Sequence, residues 1–150
     1  MAHTFTLLYY HLIFSTKHRK PFIDAELEER LHPYLGGIVR GMEGIPLKIG
    51  GIEDHVHMLV QMPATVAVAD AVRDIKANSS GWVHDNFAKH QKFSWQIGYG
   101  AFSVSKSKVP DLIIYIANQR EHHKRQTFGE EYIQFLIKHE IEYDDRFVLD

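Results

Sequence analysis

Cysteine is absent from all 150 residues. That removes disulfides, cysteine-ligated zinc and thiol nucleophiles together, and it accords with a cytoplasmic setting. Long apolar runs are missing as well, none approaching the roughly 20 residues of a membrane helix. The start of the chain, with His3 and Thr4, lacks the basic-then-apolar layout of a signal peptide. Net charge is close to nil, −2 with histidines neutral, so the chain as a whole exerts no general pull on polyanions. Any such binding has to come from local patches. There is no internal repeat, low-complexity tract or linker. What remains is ordinary in proportion, 45% hydrophobic and 24% charged, and predicts one domain over residues 1–150 with an adequate core.

Histidine, by contrast, is plentiful at 11 residues. The stretch Gly50-Gly51-Ile52-Glu53-Asp54-His55-Val56-His57-Met58-Leu59-Val60-Gln61-Met62 reads as an acidic turn followed by a strand. Strand side chains alternate between faces, so His55 and His57 share one face while Val56 and Met58 anchor the other in the core. Two imidazoles roughly 7 Å apart on one face can converge on a single ion. A His-x-His pair also arises by chance in a histidine-rich chain, and the pattern alone does not separate the two.

The remaining segments supply a frame for that strand. Thr4 to Thr16 is apolar, aromatic and β-branched, which predicts a first strand; it ends in the basic run Lys17-His18-Arg19-Lys20 before Pro21. Asp24 caps a helix to about Met42, with Leu27, Leu31, Leu35, Ile38 and Val39 at helical spacing. Ile45 to Ile52 forms a second strand, hairpinned to the histidine strand through Glu53-Asp54. Thr65 or Asp70 opens a helix to about Phe87, with a break possible at Asn78-Ser79-Ser80-Gly81. Phe93 to Val104 is the last strand. The order β-α-β-β-α-β predicts an α+β fold: a split βαβ, ferredoxin/RRM-like, four-stranded antiparallel sheet with two helices on one face. The opposite face is then free for a ligand or partner.

Beyond the sheet lies a helix the core does not require. Pro110 sits at its start, and it continues through Tyr115 and Gln119 to about Arg125. Tyr115 and Gln119 are i and i+4 and share a face. Taken singly, Tyr115 reads as a partly buried core aromatic, Gln119 as a surface polar residue and His122-His123 as a solvated helix end. A terminal helix over about 129–139 and an acidic tail, Glu140 to Asp145, complete the chain.

Taken together these segments resemble a known family. HVH in a core strand, a helix carrying YIANQREHH and then TFGEEYIQFL resemble the IS200/IS605-type single-tyrosine transposases, which are HUH nucleases acting on single-stranded DNA. The resemblance extends through YYHLIFSTKHRKPF, GGIEDHVHMLV, KANSSGWVH, GYGAFSVSKS and IEYDDRFVLD. It implies that His55, His57 and Gln119 are metal ligands for Mg²⁺ or Mn²⁺, and that Tyr115 is the nucleophile. It further implies single-stranded DNA hairpins at element ends as substrate, a 5′-phosphotyrosine intermediate, and a homodimer whose tyrosine helices can serve the partner's histidines. Asp54 is not required by the motif. Lys17, Arg19, Lys20, Arg73, Lys76, Lys106 and Lys108 are the expected phosphate contacts. Tyr99 and Phe102 suit either base stacking or the core.

Two other readings remain open on sequence. A non-catalytic RRM-like nucleic-acid-binding module shares the architecture but leaves the conjunction of His-x-His, Tyr and Gln unexplained. A domesticated single-strand endonuclease would share the chemistry without the mobile element.

Overall fold

The computed structural model of the chain describes residues 3–150. Four antiparallel strands, β1 (Tyr9–Ser15), β2 (Ile45–Ile52), β3 (His55–Gln61) and β4 (Gly100–Val104), form one sheet in the order β2-β3-β1-β4. This is the expected split βαβ topology. The histidine strand β3 lies inside the sheet, paired with β1 (Ile13 opposite His57) and with β2 (Gly50 opposite His57).

One face is covered by α1 (Ala25–Gly41) and α2 (Val68–Asn86). The Asp24 carboxylate caps α1 by accepting from the Leu27 N–H, and Leu27, Leu31, Leu35 and Val39 then bury one stripe every fourth residue. They meet Leu12, Phe14, Val56, Met58 and Val60 of the sheet and Val72, Ile75 and Val83 of α2. The break that the small residues around Ser79 would permit does not occur. Ser79 is fully buried, donates to the Ile75 carbonyl and accepts from Trp95 Nε1, so tertiary packing overrides weak local propensity.

The strands at both ends of the sequence's sheet reading are shorter than expected. Thr4 to Leu8 precede pairing, which starts at Tyr9. Residues 93–99 do not extend β4: Trp95 makes only an isolated bridge to Thr16, and Lys76 Nζ donates to the carbonyls of Gln96, Ile97 and Gly98. Three successive carbonyls turned to one ammonium are unavailable to a ladder.

The second face is not free. It carries α3 (Val109–Ala117), α4 (Gln119–His122) and α5 (Phe128–Lys138), and the helix expected to run unbroken to Arg125 kinks at Asn118. Thr127 and Glu130 cap α5 reciprocally. Phe128, Tyr132 and Leu136 pack on Ile13 and Phe102, joined by Val148 and Leu149 of the tail. The tail is fastened by Arg19, which donates to the Leu149 carbonyl at 2.9 Å, and by Gly98 N–H on the Asp150 carbonyl.

Gly50 sets how closely α3 approaches the sheet. A Cβ there would lie 2.5 Å from the Ile116 carbonyl oxygen and 2.8 Å from its Cγ2. Gly50→Ala should therefore lift α3 off β2 and cost roughly 1–3 kcal/mol, a typical overpacking penalty. Urea unfolding measures the loss. Amide chemical-shift changes confined to β2, α3 and α4, with the α1/α2 layer undisturbed, are the expected signature.

Candidate metal and nucleophile site

Strand alternation places His55 and His57 on the second face, both fully buried, with ring centroids 5.1 Å apart. Across from them stand Gln119, from the start of α4, His123, which ends it, and Glu131 of α5. One ligand atom from each of His55, His57, His123 and Glu131 lies within 4.8 Å of the others. Gln119 joins them, with Oε1 at 2.9 Å from Nε2 of both His55 and His123.

The hydrogen bonds behind these rings determine what they present. His55 Nδ1–H donates to the Asp54 carboxylate at 2.7 Å, and His123 Nδ1–H donates to the Gln126 carbonyl at 2.6 Å. Each ring therefore turns an Nε2 lone pair inward. Those lone pairs face Gln119 Oε1 and Glu131 Oε1, themselves acceptors, the latter 3.2 Å from His123 and 3.6 Å from His55. Acceptors crowded this way repel unless a cation or a proton sits among them. The donor set of imidazoles, an amide oxygen and one carboxylate fits a divalent transition ion.

His57 is supported from behind by His11, whose Nε2 is 2.8 Å from His57 Nδ1 and whose ring stacks on it at 5.0 Å. Burial is the main cause that pushes His57 down to about 4, so it is neutral and able to ligate at ordinary pH. Burial also lowers His11. For Glu131 burial alone would raise the carboxyl, but the imidazoles of His123 and His57 set against it outweigh burial and hold the group well below the usual carboxylate range.

Tyr115 points its hydroxyl at the same carboxylate. Its O–H donates to Glu131 Oε2, which also accepts from Gln119 Nε2 at 3.1 Å. The two oxygens of Glu131 are thus divided, one toward the imidazoles and one toward the phenol. Burial, and then this hydrogen bond, keep the Tyr115 hydroxyl protonated far above its ordinary range.

The four residues expected from the sequence, His55, His57, Tyr115 and Gln119, are brought together within one chain. His123 and Glu131 were not anticipated. His123 was read with His122 as a solvated helix end, and Glu131 lies 74 residues from His57 in a helix whose pattern signals only packing. Of the expected phosphate contacts, Lys17 and Lys20 line a cavity with His18, Phe22, Lys92 and Ser94 beside the end of β1. Arg19 holds the tail, Lys76 holds the 96–98 carbonyls, and Arg73 pairs with Asp70 and Asp74. Lys106 and Lys108 are exposed before α3. Phe102 is core, while Tyr99 is partly exposed.

A split βαβ sheet that presents paired imidazoles to a tyrosine-bearing helix defines a centre suited to a metal ion and an oxygen nucleophile. Residues 4–119 match the family model for IS200-like transposases, and the chain belongs to that family. It is 26% identical over 132 residues to the transposase for insertion sequence element IS200 of Salmonella typhimurium, covering 83% of this chain and 84% of that one. The corresponding protein of Salmonella typhi matches equally. Among solved structures, a Deinococcus radiodurans protein assigned as a transposase superposes with TM-score 0.66 at 24% identity, over 78% of this chain and 94% of that one. A REP-associated tyrosine transposase bound to a REP hairpin gives 0.60 at 13%, over 77% and 68%. These two likenesses are of fold. His123 and Glu131 both lie beyond the family match.

Asp54 fixes the tautomer and orientation of His55. Asp54→Asn should weaken Mn²⁺ binding roughly 10- to 100-fold, as loss of such a partner does elsewhere. Isothermal titration of the purified protein measures this, with His57→Ala as the variant in which binding is lost.

Proposed function

We propose that this transposase cuts and rejoins single-stranded DNA through a covalent tyrosine intermediate. The observation that carries the reading is the convergence of unshared lone pairs from His55, His123, Gln119 and Glu131 beside the Tyr115 hydroxyl. His55, His57 and Gln119 hold a divalent ion, Mg²⁺ or Mn²⁺, with His123 and Glu131 adding donors. Such an ion supplies Lewis-acid polarisation of a phosphate oxygen. The nitrogen-rich set favours Mn²⁺.

The chain's own residues then act as follows. Glu131 orients the Tyr115 hydroxyl, which is half-buried and faces a cleft. Its oxygen bonds to phosphorus as the P–O3′ bond breaks, giving a 5′-phosphotyrosine and a free 3′-OH. The hydroxyl proton passes by way of its hydrogen bond to Glu131 and ends on the leaving 3′ oxygen, so Glu131 is a carboxylate before and after the step. Because the phosphodiester energy is kept in the phosphotyrosine, attack by another 3′-OH rejoins strands without an external energy source. Substrates are hairpins at element ends, like the hairpin carried by the REP-associated relative. Lys17, Lys20, Lys106 and Lys108 are the phosphate contacts, and Tyr99 is an exposed stacking surface.

Tyr115→Phe should bind a hairpin-bearing single strand yet form no covalent adduct on a denaturing gel. EDTA should abolish the wild-type adduct, and Mn²⁺ should restore it. An undiminished adduct in EDTA would sink the metal assignment, and an adduct from Tyr115→Phe the nucleophile.

The enzyme is a homodimer in which α3, tethered by the exposed polar residues Ser105, Lys106, Ser107 and Lys108, can exchange between protomers. The single chain completes the site in cis, and exchange is a second state. Mixing His57→Ala with Tyr115→Phe chains tests it: exchange regenerates one wild-type site per heterodimer and restores cleavage. In a purely cis dimer every site keeps one defect, so inactivity with heterodimers present excludes exchange.

A further inference from the structure

A cleft of about 700 Å³ leads to Tyr115 from the surface, within the range of about 300–1,000 Å³ usual for ligand sites. One wall is the end of β4 with the turn before α3 and α3 itself; the other is the exposed side of α5. Tyr115 and Glu131 lie at its inner end. The metal-facing side of the site is closed, since His55, His57, Gln119 and Glu131 are all buried.

The cleft's chemistry is distinctive. Lys108 and Lys138 stand exposed on opposite walls, neither with an ion-pair partner among the described residues, and Asp111 is the one carboxylate besides buried Glu131. Between them Phe135 is half-buried, its ring edge-on to His11 at 5.1 Å and stacked on buried Phe102 at 5.5 Å. His139 is fixed by donating Nδ1–H to the Phe135 carbonyl and lies 4.4 Å from the Phe102 ring. A braced aromatic surface between two free ammonium groups matches a strand with bases on one side and phosphates on the other. It does not match a duplex, whose bases are already stacked.

We infer that this cleft seats the single-stranded DNA flanking the scissile phosphate, with Lys108 and Lys138 on phosphates from opposite walls and Phe135 as the platform for a base. The inference rests on the proposed nuclease reading and extends it. It assigns strand capture to α5, which lies past the residues matched by the family, and makes Gln134 and His139 the side chains placed to sense the bases beside the cut.

The test uses an unstructured fluorescent oligonucleotide, with the full-length Tyr115→Phe protein so that no adduct forms. Adding Lys108→Ala and Lys138→Ala together should weaken binding at least tenfold by anisotropy. The slope of log affinity against log salt should fall by about 1.4, from two contacts at about 0.7 each on single strands. Phe135→Leu, which keeps an apolar side chain and removes the ring, should weaken binding roughly tenfold with its melting temperature near that of the parent. In the active background, the double lysine variant should raise KM for the strand far more than it lowers kcat. Unchanged affinity and slope in the lysine variant overturn the assignment while leaving the nuclease reading intact. Failure of the wild-type protein to form an adduct on any single strand overturns the nuclease reading, and the anisotropy series still decides the cleft. An oligonucleotide that the Tyr115→Phe parent does not bind at all also counts against the cleft.

Discussion

The second face of this protein is organised by one buried carboxylate. Glu131 is 1% exposed and touches groups from three elements, His57 and His55 of β3, Tyr115 of α3 and Gln119 of α4, together with His123 just beyond α4. A buried anion without partners costs several kcal/mol, so Glu131 can be where it is only if those partners are also in place. The dependence runs both ways. Remove the carboxylate, and the imidazoles, the amide and the phenol lose the group that draws them to one point. A terminal helix that looks like mere packing is therefore what joins Tyr115 to the histidines.

Apolar contacts bring Glu131 into range. Phe128, Tyr132 and Leu136 lie on the sheet-facing side of α5, and Glu131 shares that side, one residue before Tyr132. Packing against Ile13 and Phe102 fixes the rotation of the helix, and rotation decides whether the carboxylate meets the imidazoles or water. The tail reinforces this through Val148 and Leu149, held by Arg19 at the far end of β1. Arg19 and His18 both have left-handed backbone angles, φ 56° each, in the turn that carries them there. A residue expected to meet phosphate thus works for the fold.

How much of this was legible in the sequence follows from the range of each signal. The βαββαβ order, the Asp24 cap and the shared face of His55 and His57 depend on spacings of two to four residues, which a sequence displays directly. The shared face of Tyr115 and Gln119 is of the same kind, and the family resemblance supplied their roles. His123 and Glu131 carry no such mark. His123 becomes part of the site only because α3 kinks at Asn118 and turns α4 inward, and Glu131 only because α5 docks on a sheet face expected to be open. The shortening of β4 was hidden for the same reason: Lys76 withdraws three carbonyls from pairing across twenty residues or so of chain. Long-range docking, not local propensity, decides these points.

The division of rigidity between the two halves of the site bears on the chemistry. His55 and His57 sit on a strand bonded on both sides, the least mobile backbone in such a sheet. Tyr115 sits on a nine-residue helix that touches β2 closely at Gly50 and is joined to β4 by an exposed polar turn. In the proposed reaction a phosphate held for in-line attack needs a fixed electrostatic environment, whereas a tyrosine carrying a covalently attached strand would have to let a second 3′ end approach the same phosphorus. A strand bonded on both sides, facing a helix joined to the sheet by an exposed turn, would suit both demands. Tyr115 meets Glu131 through a single hydrogen bond, which orients the hydroxyl and can be broken while the contacts of the imidazoles to the other carboxylate oxygen stay in place.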